Sequence, residues 1–329
     1  MRKWRAVLQH SLLLVVLSVL SGLTTAADKV PTVTAGTIER LPAFPSQYVT
    51  ARNVDVWLPP GYPNAAPYAV LYMHDGQMLF DGAITWNRQE WQVDEIGSAL
   101  IQSGKTRPFI VVGIWNAGAA RASEYFPQRA FERLTAAQQQ ELHSFYADAT
   151  GGNKRFPVPM SADRYLKFLV SELKPAIDAR YASSRDRKDT MLMGSSMGGL
   201  ISLYALAEYP AVFGAAGCLS THWPGTLPDS ADNPVPAAIF DYLRERLPAA
   251  GSHRLYFDHG TETLDASYAA RQQVVDSILR QKGYSDANWR SLTFPGAEHN
   301  EQAWSARLVI PLSFLLGTER SSDAGPKAD

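Results

Sequence analysis

Short apolar runs recur along the chain, and segments with helical spacing separate them. The later runs are almost continuously apolar, as strands that are buried on both faces of a parallel sheet must be. The predicted strands cover residues 54–58, 69–73, 109–114, 191–193 and 255–257. This pattern indicates a sheet whose strands are connected through helices.

Two helices are predicted between these runs. Apolar residues at helical spacing over 166–177 form one of them, and Pro175 should kink or delimit it because proline lacks a backbone donor. The other covers residues 197–209, and Pro210 ends it. The alternation predicts a single α/β domain with a mostly parallel, doubly wound sheet, so ligands are expected at loops beyond the carboxyl ends of the strands.

The composition is that of a globular chain with a large core, since 46% of the 329 residues are apolar and 19% are charged. Lys and Arg total 31 against 32 Asp and Glu. The resulting formal charge of −1 supplies no basic field, so no nucleic-acid partner is expected. The single cysteine, Cys218, is predicted to be a buried small hydrophobe, and neither a metal nor an organic cofactor is implied.

The amino-terminal residues carry a targeting pattern. Positive charges at Arg2, Lys3 and Arg5 precede an apolar run over residues 12–20, and small residues follow that run. This order predicts a secretory signal over 1–27, with an uncleaved anchor as the alternative. We expect export to the periplasm or the medium, without stable membrane association once the signal is removed.

The rest of the chain is predicted to form a folded domain over residues 28–319 and a frayed tail over 320–329, which contains no large hydrophobe. The segment 121–161 is long for a plain connection. Two interpretations stay open for it: a surface excursion with a short helix near 134–146, or a partial lid over a pocket.

One pentapeptide carries candidate chemistry. Gly194-Ser195-Ser196-Met197-Gly198 reads G-x-S-x-G and lies between a predicted strand and a predicted helix. A nucleophile elbow requires that context, because its serine stands on a strained turn and small neighbours let strand and helix approach. The alternative is a glycine-rich turn that only permits close helix packing. We interpret Ser196 as the candidate nucleophile.

A serine hydroxyl is a weak nucleophile near neutral pH, so it needs a base, and the base needs a carboxylate that orients it. In this type of fold, the acid and then the histidine follow the serine along the chain. His299, in a turn after a predicted strand over 291–294, is the favoured base. The other downstream histidines are His222, His253 and His259, of which His222 and His259 also follow strand-like runs.

The acid is expected after the strand over 255–257. Asp258, Glu262 and Asp265 compete for this role. Asp265 is favoured because the acid needs loop length to reach back to an imidazole. Asp258 has the alternative role of capping the turn at Gly260, and Glu262 that of a solvated surface charge.

Ester hydrolysis also requires donors for an oxyanion. The backbone amide of Met197 is expected to supply one, and that of Gln77 or Met78, in the loop after the strand ending at Met73, is expected to supply the other. A tight turn without a ligand role is the alternative for that loop.

Several side chains near these loops are candidates for a substrate pocket, with core or rim packing as the alternative for each. Arg121 is a candidate partner for an anionic group, with a surface ion pair as the alternative. The predicted pocket residues are His74, Trp115 and Trp223, and the further candidates are Trp86, Trp91 and Tyr125.

Taken together, these segments resemble a known family, the esterase family of the α/β-hydrolase superfamily that includes esterase D, enterochelin esterases, feruloyl esterase domains and mycolyltransferases. The similar segments are LYMHDGQ (71–77), VVGI (111–114), EY (124–125), GSSMGG (194–199) and GAEHNE (296–301). The resemblance implies an α/β-hydrolase fold, with Ser196 as nucleophile, Asp265 as acid and His299 as base. Met78 departs from the Asn usual in relatives, and the acid loop is longer than the Gly-Thr-x-Asp form of feruloyl esterases.

We therefore expect a carboxylic ester hydrolase that acts on a small-molecule ester through an acyl-serine intermediate. An acyltransferase is the nearest alternative, because an alcohol can resolve the same intermediate. A non-catalytic exported binding protein on the same scaffold is a third possibility, since fold does not dictate function.

Overall fold

A computed structural model describes residues 29–148, 160–225, 230, 232–251 and 253–318. The described residues form a sheet whose strands are β1 Thr37–Phe44, β2 Arg52–Leu58, β3 Ala69–His74, β4 Phe109–Ile114, β5 Thr190–Ser195, β6 Ala215–Leu219, β7 Arg254–His259 and β8 Trp289–Thr293. Their spatial order is β1-β2-β4-β3-β5-β6-β7-β8. The β1/β2 and β2/β4 pairs are antiparallel and the remaining pairs are parallel, which confirms the predicted α/β class.

Helices cover both faces of this sheet. They are α1 Val93–Gln102, α2 Arg121–Tyr125, α3 Gln128–Phe131, α4 Ala136–Asp148, α5 Ala162–Phe168, α6 Lys174–Arg180, α7 Met197–Glu208, α8 Val235–Arg246, α9 Ala269–Gln281, α10 Glu301–Arg307 and α11 Val309–Leu316. Side chains of α5 to α9 share one buried cluster, and those of α1, α10 and α11 share the other. The sheet is therefore doubly wound, as predicted.

The strand β3 shows how the core is divided. Val70 and Tyr72 belong to the first cluster, and Leu71 and Met73 belong to the second. Successive side chains of a strand point to opposite faces, so a strand between two helical layers must be apolar throughout. This is the reason that the continuous apolar runs predicted parallel strands correctly.

Two strands were not predicted. The strand β6 reads Ala-Ala-Gly-Cys-Leu and is too poor in large or β-branched residues to stand out as an apolar run. The strand β1 lies at the edge of the sheet and is mostly exposed or half-buried, so its apolar signal is weak. Cys218 lies in β6 and is fully buried, as predicted.

The helix predicted over 166–177 is divided by a π-helical segment, Leu169–Leu173, between α5 and α6. Pro175 lies in the first turn of α6, directly after the π-helical segment, where its lack of a backbone donor interrupts the regular hydrogen-bond pattern. The proline thus marks a helix boundary, as expected. The second predicted helix is α7, which ends at Glu208.

The predicted signal 1–27 and tail 320–329 lie outside the described residues. The described part of the 121–161 segment contains α2, α3 and α4, and α4 corresponds to the helix expected near 134–146. A lid role for this segment stays a prediction. Within the described ranges, none of the helices combines the length and hydropathy needed to cross a membrane.

Candidate active site

Ser196 occupies a strained bend between β5 and α7. Its backbone has φ 58° and ψ −123°, a combination that L-residues rarely adopt. A Cβ at Gly194 would lie 2.8 Å from the carbonyl carbon of Gly198, so only glycine lets the strand and the helix approach this closely. The local geometry is that of a nucleophile elbow.

The bend is fixed to the neighbouring strand β6. The amide of Ser196 donates to the carbonyl of Leu219 at 2.9 Å, and the carbonyl of Ser196 accepts from the amide of His222 at 3.2 Å. Both backbone groups of the strained residue are therefore paired outside its own strand. These contacts offset the cost of the unusual conformation.

Asp265 and His299 are brought together at the same edge of the sheet. Nδ1 of His299 lies 2.6 Å from Oδ1 of Asp265, while the hydroxyl of Ser220 and the amide of Gly260 each donate to Oδ2 at 2.6 Å. Burial by itself would raise the pKa of Asp265, but these donors and the charge of His299 hold the pKa below its ordinary value. Asp265 is therefore an ionised carboxylate, and hydrogen bonds to both of its oxygens fix its orientation.

The other two candidate acids are placed differently. Asp258 is buried against Arg307, whose Nη2 lies 3.0 Å from Oδ1, and it also accepts a 2.9 Å hydrogen bond from Tyr256. Its pKa is raised by burial despite the ion pair. Glu262 is exposed, and within the described residues its carboxylate accepts only a long contact from Thr261. Of the three candidates, Asp265 alone contacts a histidine in the described part of the chain.

The rival histidines have other partners. His222 contacts the hydroxyl of Tyr268 at 2.6 Å, and burial together with the charge of His299 lowers its pKa to about 3. His259 contacts the carbonyl of Gly260 and the hydroxyl of Thr293. These groups do not include a carboxylate that could orient either ring.

His253 lies against Arg187 and the carbonyl of Pro210, on a different side of the molecule from the elbow. Its strand position explains this placement, because it precedes β7 rather than following it. The carboxyl ends of the parallel strands carry the elbow and the acid, so a residue before the strand is at the wrong edge.

Two loops hold the acid and the imidazole as one unit. The amides of Thr261 and Glu262 both donate to the carbonyl of Ala297 at 3.1 Å, and the amide of His299 donates to the hydroxyl of Thr263 at 2.9 Å. A Cβ at Gly260 would collide with the carbonyl of Ala297. We call residues 260–268 the acid loop and residues 294–300 the histidine loop.

A hydrogen bond from the Ser196 hydroxyl to the His299 ring would complete a catalytic triad. No direct hydrogen bond joins the Ser196 hydroxyl to the His299 ring in the part of the chain that the structure describes. The two residues are linked through neighbours: the amide of His222 contacts Ser196, and Tyr268 packs against the rings of both His222 and His299.

The loop after β3 lies beside the elbow. A Cβ at Gly76 would lie 2.6 Å from the amide nitrogen of Ile114, so glycine is needed there, and a Cβ at Gly198 would lie in ordinary contact distance, 3.5 Å, from Asp75. The amide of Met78 donates to the carbonyl of Asp75, whereas within the described residues that of Gln77 has no acceptor. Of the two alternatives for a donor in this loop, the amide of Gln77 is therefore better suited to bind an oxyanion than that of Met78.

The second predicted oxyanion donor, Met197, is the first residue of α7. Amides in the first turn of a helix have no helical carbonyl to pair with, and the helix dipole adds positive potential there. This position gives the Met197 amide the electrostatic character that an oxyanion requires.

Arg121 forms the ion pair that was the alternative to a substrate contact. Its guanidinium binds both carboxylate oxygens of Asp75 at 2.6 and 2.7 Å, and Asn116 donates to the same carboxylate at 2.7 Å. Burial favours a higher pKa for Asp75, but the charge and hydrogen bonds of Arg121 lower it. The Arg121 side chain is still 28% exposed.

The predicted pocket residues are mostly engaged in packing. Trp223 is buried between Phe240 and Phe257, and the indole of Trp115 donates to Asp55 at 2.8 Å. Their role in a pocket stays a prediction. Trp91 and Tyr125 are buried as well, and Trp86 is 83% exposed.

His74 is buried, and burial lowers its pKa to about 4. Its Nδ1 lies 2.9 Å from the hydroxyl of Tyr165, and its Nε2 is buried without a partner in the described residues. The neutral ring supports the base of the loop after β3, and a substrate contact for it stays a prediction.

Sequence reasoning missed Ser220 and Trp304. Ser220 follows the unpredicted strand β6, and its hydroxyl contacts the candidate acid. Trp304 packs its ring edge-on against His299 with the centroids 5.0 Å apart. A lone serine after an unrecognised strand carries no pattern that would have identified it.

Comparison with known proteins identifies a family. A family model described as "Putative esterase" matches residues 47–314. The chain belongs to this esterase family. The enzyme class predicted from the sequence, carboxylic ester hydrolase, is the class of that family.

Proteins with similar sequences include the uncharacterized protein YbbA of Bacillus subtilis (strain 168), which is 21% identical over 279 residues, covering 82% of this chain and 95% of YbbA. An endo-1,4-beta-xylanase/feruloyl esterase of Xylanibacter ruminicola is 26% identical over 207 residues. That match covers 59% of this esterase-family chain and only 23% of the larger protein.

Solved structures of esterases share the fold. A ferulic acid esterase superposes with a TM-score of 0.60 at 17% identity, covering 85% of this chain and 98% of that one. The enterobactin esterase FES from Shigella flexneri gives a TM-score of 0.63 at 16% identity, covering 89% and 62%. At such identities the likeness shows the α/β-hydrolase fold, which confirms the predicted architecture.

Proposed function

We propose that this esterase-family protein is a serine carboxylic ester hydrolase that works through an acyl-serine intermediate, with Ser196, Asp265 and His299 as its triad. One observation carries the proposal: a partly buried Asp265–His299 hydrogen bond of 2.6 Å lies at the same sheet edge as the strained serine. The order serine, acid, histidine along the chain also matches that of α/β-hydrolases.

The reaction begins with transfer of the Ser196 hydroxyl proton to His299 as the serine oxygen bonds to the ester carbonyl carbon. The amides of Met197 and Gln77 donate to the carbonyl oxygen as it becomes negative. His299 returns the proton to the leaving alcohol as the carbon–oxygen bond breaks. Water then attacks the acyl-serine by the same steps, which releases the acid and restores the serine.

Asp265 contributes without changing its protonation state. Its carboxylate accepts from Nδ1 of His299, which leaves Nε2 as the nitrogen that takes the proton from the serine. The negative charge also stabilises the imidazolium that forms in the transition state.

The substrate is proposed to be a small-molecule ester, and relatives named for ferulic acid and enterobactin suggest where to begin. The test is a panel of acetyl, feruloyl and siderophore-type esters together with a p-nitrophenyl ester and a fluorophosphonate label. We expect a burst of p-nitrophenol and labelling at Ser196. We expect Ser196→Ala to lose both, with kcat/KM lower by about 10⁴-fold or more.

Full turnover by Ser196→Ala would overturn this assignment. Failure of the wild-type protein to label or to turn over any ester would instead favour the binding-protein alternative. Products that carry the acyl group on added glycerol or sugar, at the expense of free acid, would identify an acyltransferase. Export to the periplasm or the medium is part of the proposal and is tested by fractionation of cells that express the full chain.

A further inference from the structure

Ser220 stands at the centre of a buried hydrogen-bond network behind the proposed triad. It is fully buried directly after β6, with φ 41°, in the left-handed region that serine seldom occupies. Its hydroxyl lies 2.6 Å from Oδ2 of Asp265, 2.9 Å from Nε1 of Trp304 and 2.9 Å from Nη2 of Arg307. This strained residue therefore makes all the hydrogen bonds that a hydroxyl can make.

The direction of the hydroxyl proton follows from its partners. The indole nitrogen of Trp304 and the guanidinium of Arg307 only donate, so they occupy the two lone pairs of the Ser220 oxygen. The single remaining acceptor is the carboxylate of Asp265. The serine proton is consequently directed at Asp265, because no other orientation of the hydroxyl pairs it with all three neighbours.

The network continues away from the triad to a buried ion pair. Arg307 also binds Asp258 at 3.0 Å, and the carbonyl of Asp258 accepts the backbone amide of Ser220 at 2.8 Å. The hydroxyl and the backbone amide of Ser220 are thus both hydrogen-bonded to the Arg307–Asp258 pair. Asp258, a rejected candidate for the catalytic acid, acts here as part of the support.

Trp304 connects the same serine to the proposed base. Its indole nitrogen donates to Ser220 while its ring packs edge-on against His299. The carboxylate of Asp265 and the ring of His299 are therefore both positioned relative to the Ser220 hydroxyl. A shift of this hydroxyl would disturb the acid and the base together.

We propose that Ser220 is a positioning residue of the hydrolase, an inference that rests on the proposed function. Its hydroxyl keeps Asp265 ionised and turns Oδ1 of the carboxylate toward His299. Because Ser220 contacts the acid rather than the substrate, its loss should lower kcat more than it raises KM.

The test compares Ser220→Ala with the wild-type enzyme on a p-nitrophenyl ester across pH. We expect kcat to fall by about tenfold to a hundredfold, which is the rate equivalent of one charge-assisted hydrogen bond, with KM changed less than about twofold. We also expect the acid limb of kcat/KM to move to higher pH, because the Asp265–His299 pair holds an added proton more tightly when Ser220 no longer donates. A purely structural role would not move that limb.

Two further variants complete the design. Ser220→Cys keeps a small side chain with a weak donor, and we expect values between those of wild type and Ser220→Ala. It also provides the measurement if Ser220→Ala does not fold. Ser267→Ala removes a hydroxyl from the same acid loop that contacts only the carbonyl of Leu264 within the described residues, and we expect it to match wild type.

A folded Ser220→Ala enzyme with wild-type kcat and an unmoved acid limb would overturn the inference, as would a Ser220→Cys enzyme that behaves like wild type. Both outcomes leave the proposed function intact if Ser196→Ala is inactive. Turnover by Ser196→Ala would instead remove the proposed function itself, so the two failures are distinguishable.

Discussion

Asp265 and Asp75 lie in loops that follow parallel strands, and both have a pKa below the ordinary value, yet their partners differ. Asp265 faces the imidazole of His299, which gains and loses a proton readily. Asp75 faces the guanidinium of Arg121, which stays charged at any working pH. The first carboxylate therefore faces a group that can change its protonation state, whereas the second forms a permanent ion pair that links the loop after β3 to α2.

Glu90 extends this comparison to a carboxylate without a cationic partner. Its Oε2 is buried with no hydrogen-bond partner in the described residues, and its neighbours are Glu95, Asp94 and Asp81. Burial and the charge of Glu95 raise its pKa to about 7, despite a hydrogen bond from the backbone at Gly82. The partner of each carboxylate, rather than its burial alone, decides its state.

Among substitutions of these three carboxylates, the largest effect is expected for Asp265→Asn. The amide cannot hold His299 in the tautomer that accepts the serine proton, so kcat should fall by about 10³- to 10⁴-fold. Steady-state kinetics on a p-nitrophenyl ester measure this change. Glu262→Gln is the matched control in the same loop, and its rate should stay within about twofold of wild type. A larger loss in Glu262→Gln than in Asp265→Asn would reverse the assignment of the acid.

A smaller effect on the rate is expected for Asp75→Asn. This substitution removes a partly exposed ion pair with Arg121 and leaves the candidate base and its carboxylate intact. We expect a loss of about 1–3 kcal/mol in the free energy of unfolding and at most a tenfold loss in kcat/KM. Denaturant unfolding of Asp75→Asn, Arg121→Gln and the double variant gives the coupling of the pair. Additive changes in the free energy of unfolding would contradict the ion-pair role of Asp75. A rate loss equal to that of Asp265→Asn would contradict it as well.

The smallest effect is expected for Glu90→Gln. The folded-state pKa of about 7 exceeds the ordinary 4.5, so the folded protein binds more protons than the unfolded chain between these values. Wild-type stability should therefore decrease as pH rises through this window. Glu90→Gln should flatten that decrease and raise Tm by about 1–3 °C above pH 7, a modest value because solvent screens this side chain. A steeper decrease in the variant than in wild type would contradict the raised pKa.

Much of the fold follows from local patterns. Strands β3, β4, β5 and β7 are apolar on both faces because helices cover both sides of the sheet, and that burial makes them visible in the sequence. The strand β6 escaped because small residues fill the narrow space beside α7. Gly199 in α7 illustrates the crowding, since a Cβ there would lie 2.8 Å from Thr221.

The candidate site divides in the same way. Ser196 was identified because an elbow needs a short, local run of glycine and serine between strand and helix. Asp265 stayed one of three candidates, since the choice depends on which carboxylate the folded acid loop turns toward His299. Ser220 was missed for the same reason, because its significance comes entirely from contacts with Asp265, Trp304 and Arg307 that are distant in sequence.

The hydrogen bonds between the acid loop and the histidine loop have a consequence for protein engineering. The carbonyl of Ala297 receives two amides from the acid loop, and Gly260 fits against it only because it has no side chain. If only one of these loops were replaced by that of a relative, its backbone would no longer fit against the other loop, and the hydrogen bonds between them would be lost. Chimeras of this enzyme should therefore exchange the two segments as a matched pair, although residues 269–293, which include α9 and β8, separate them along the chain.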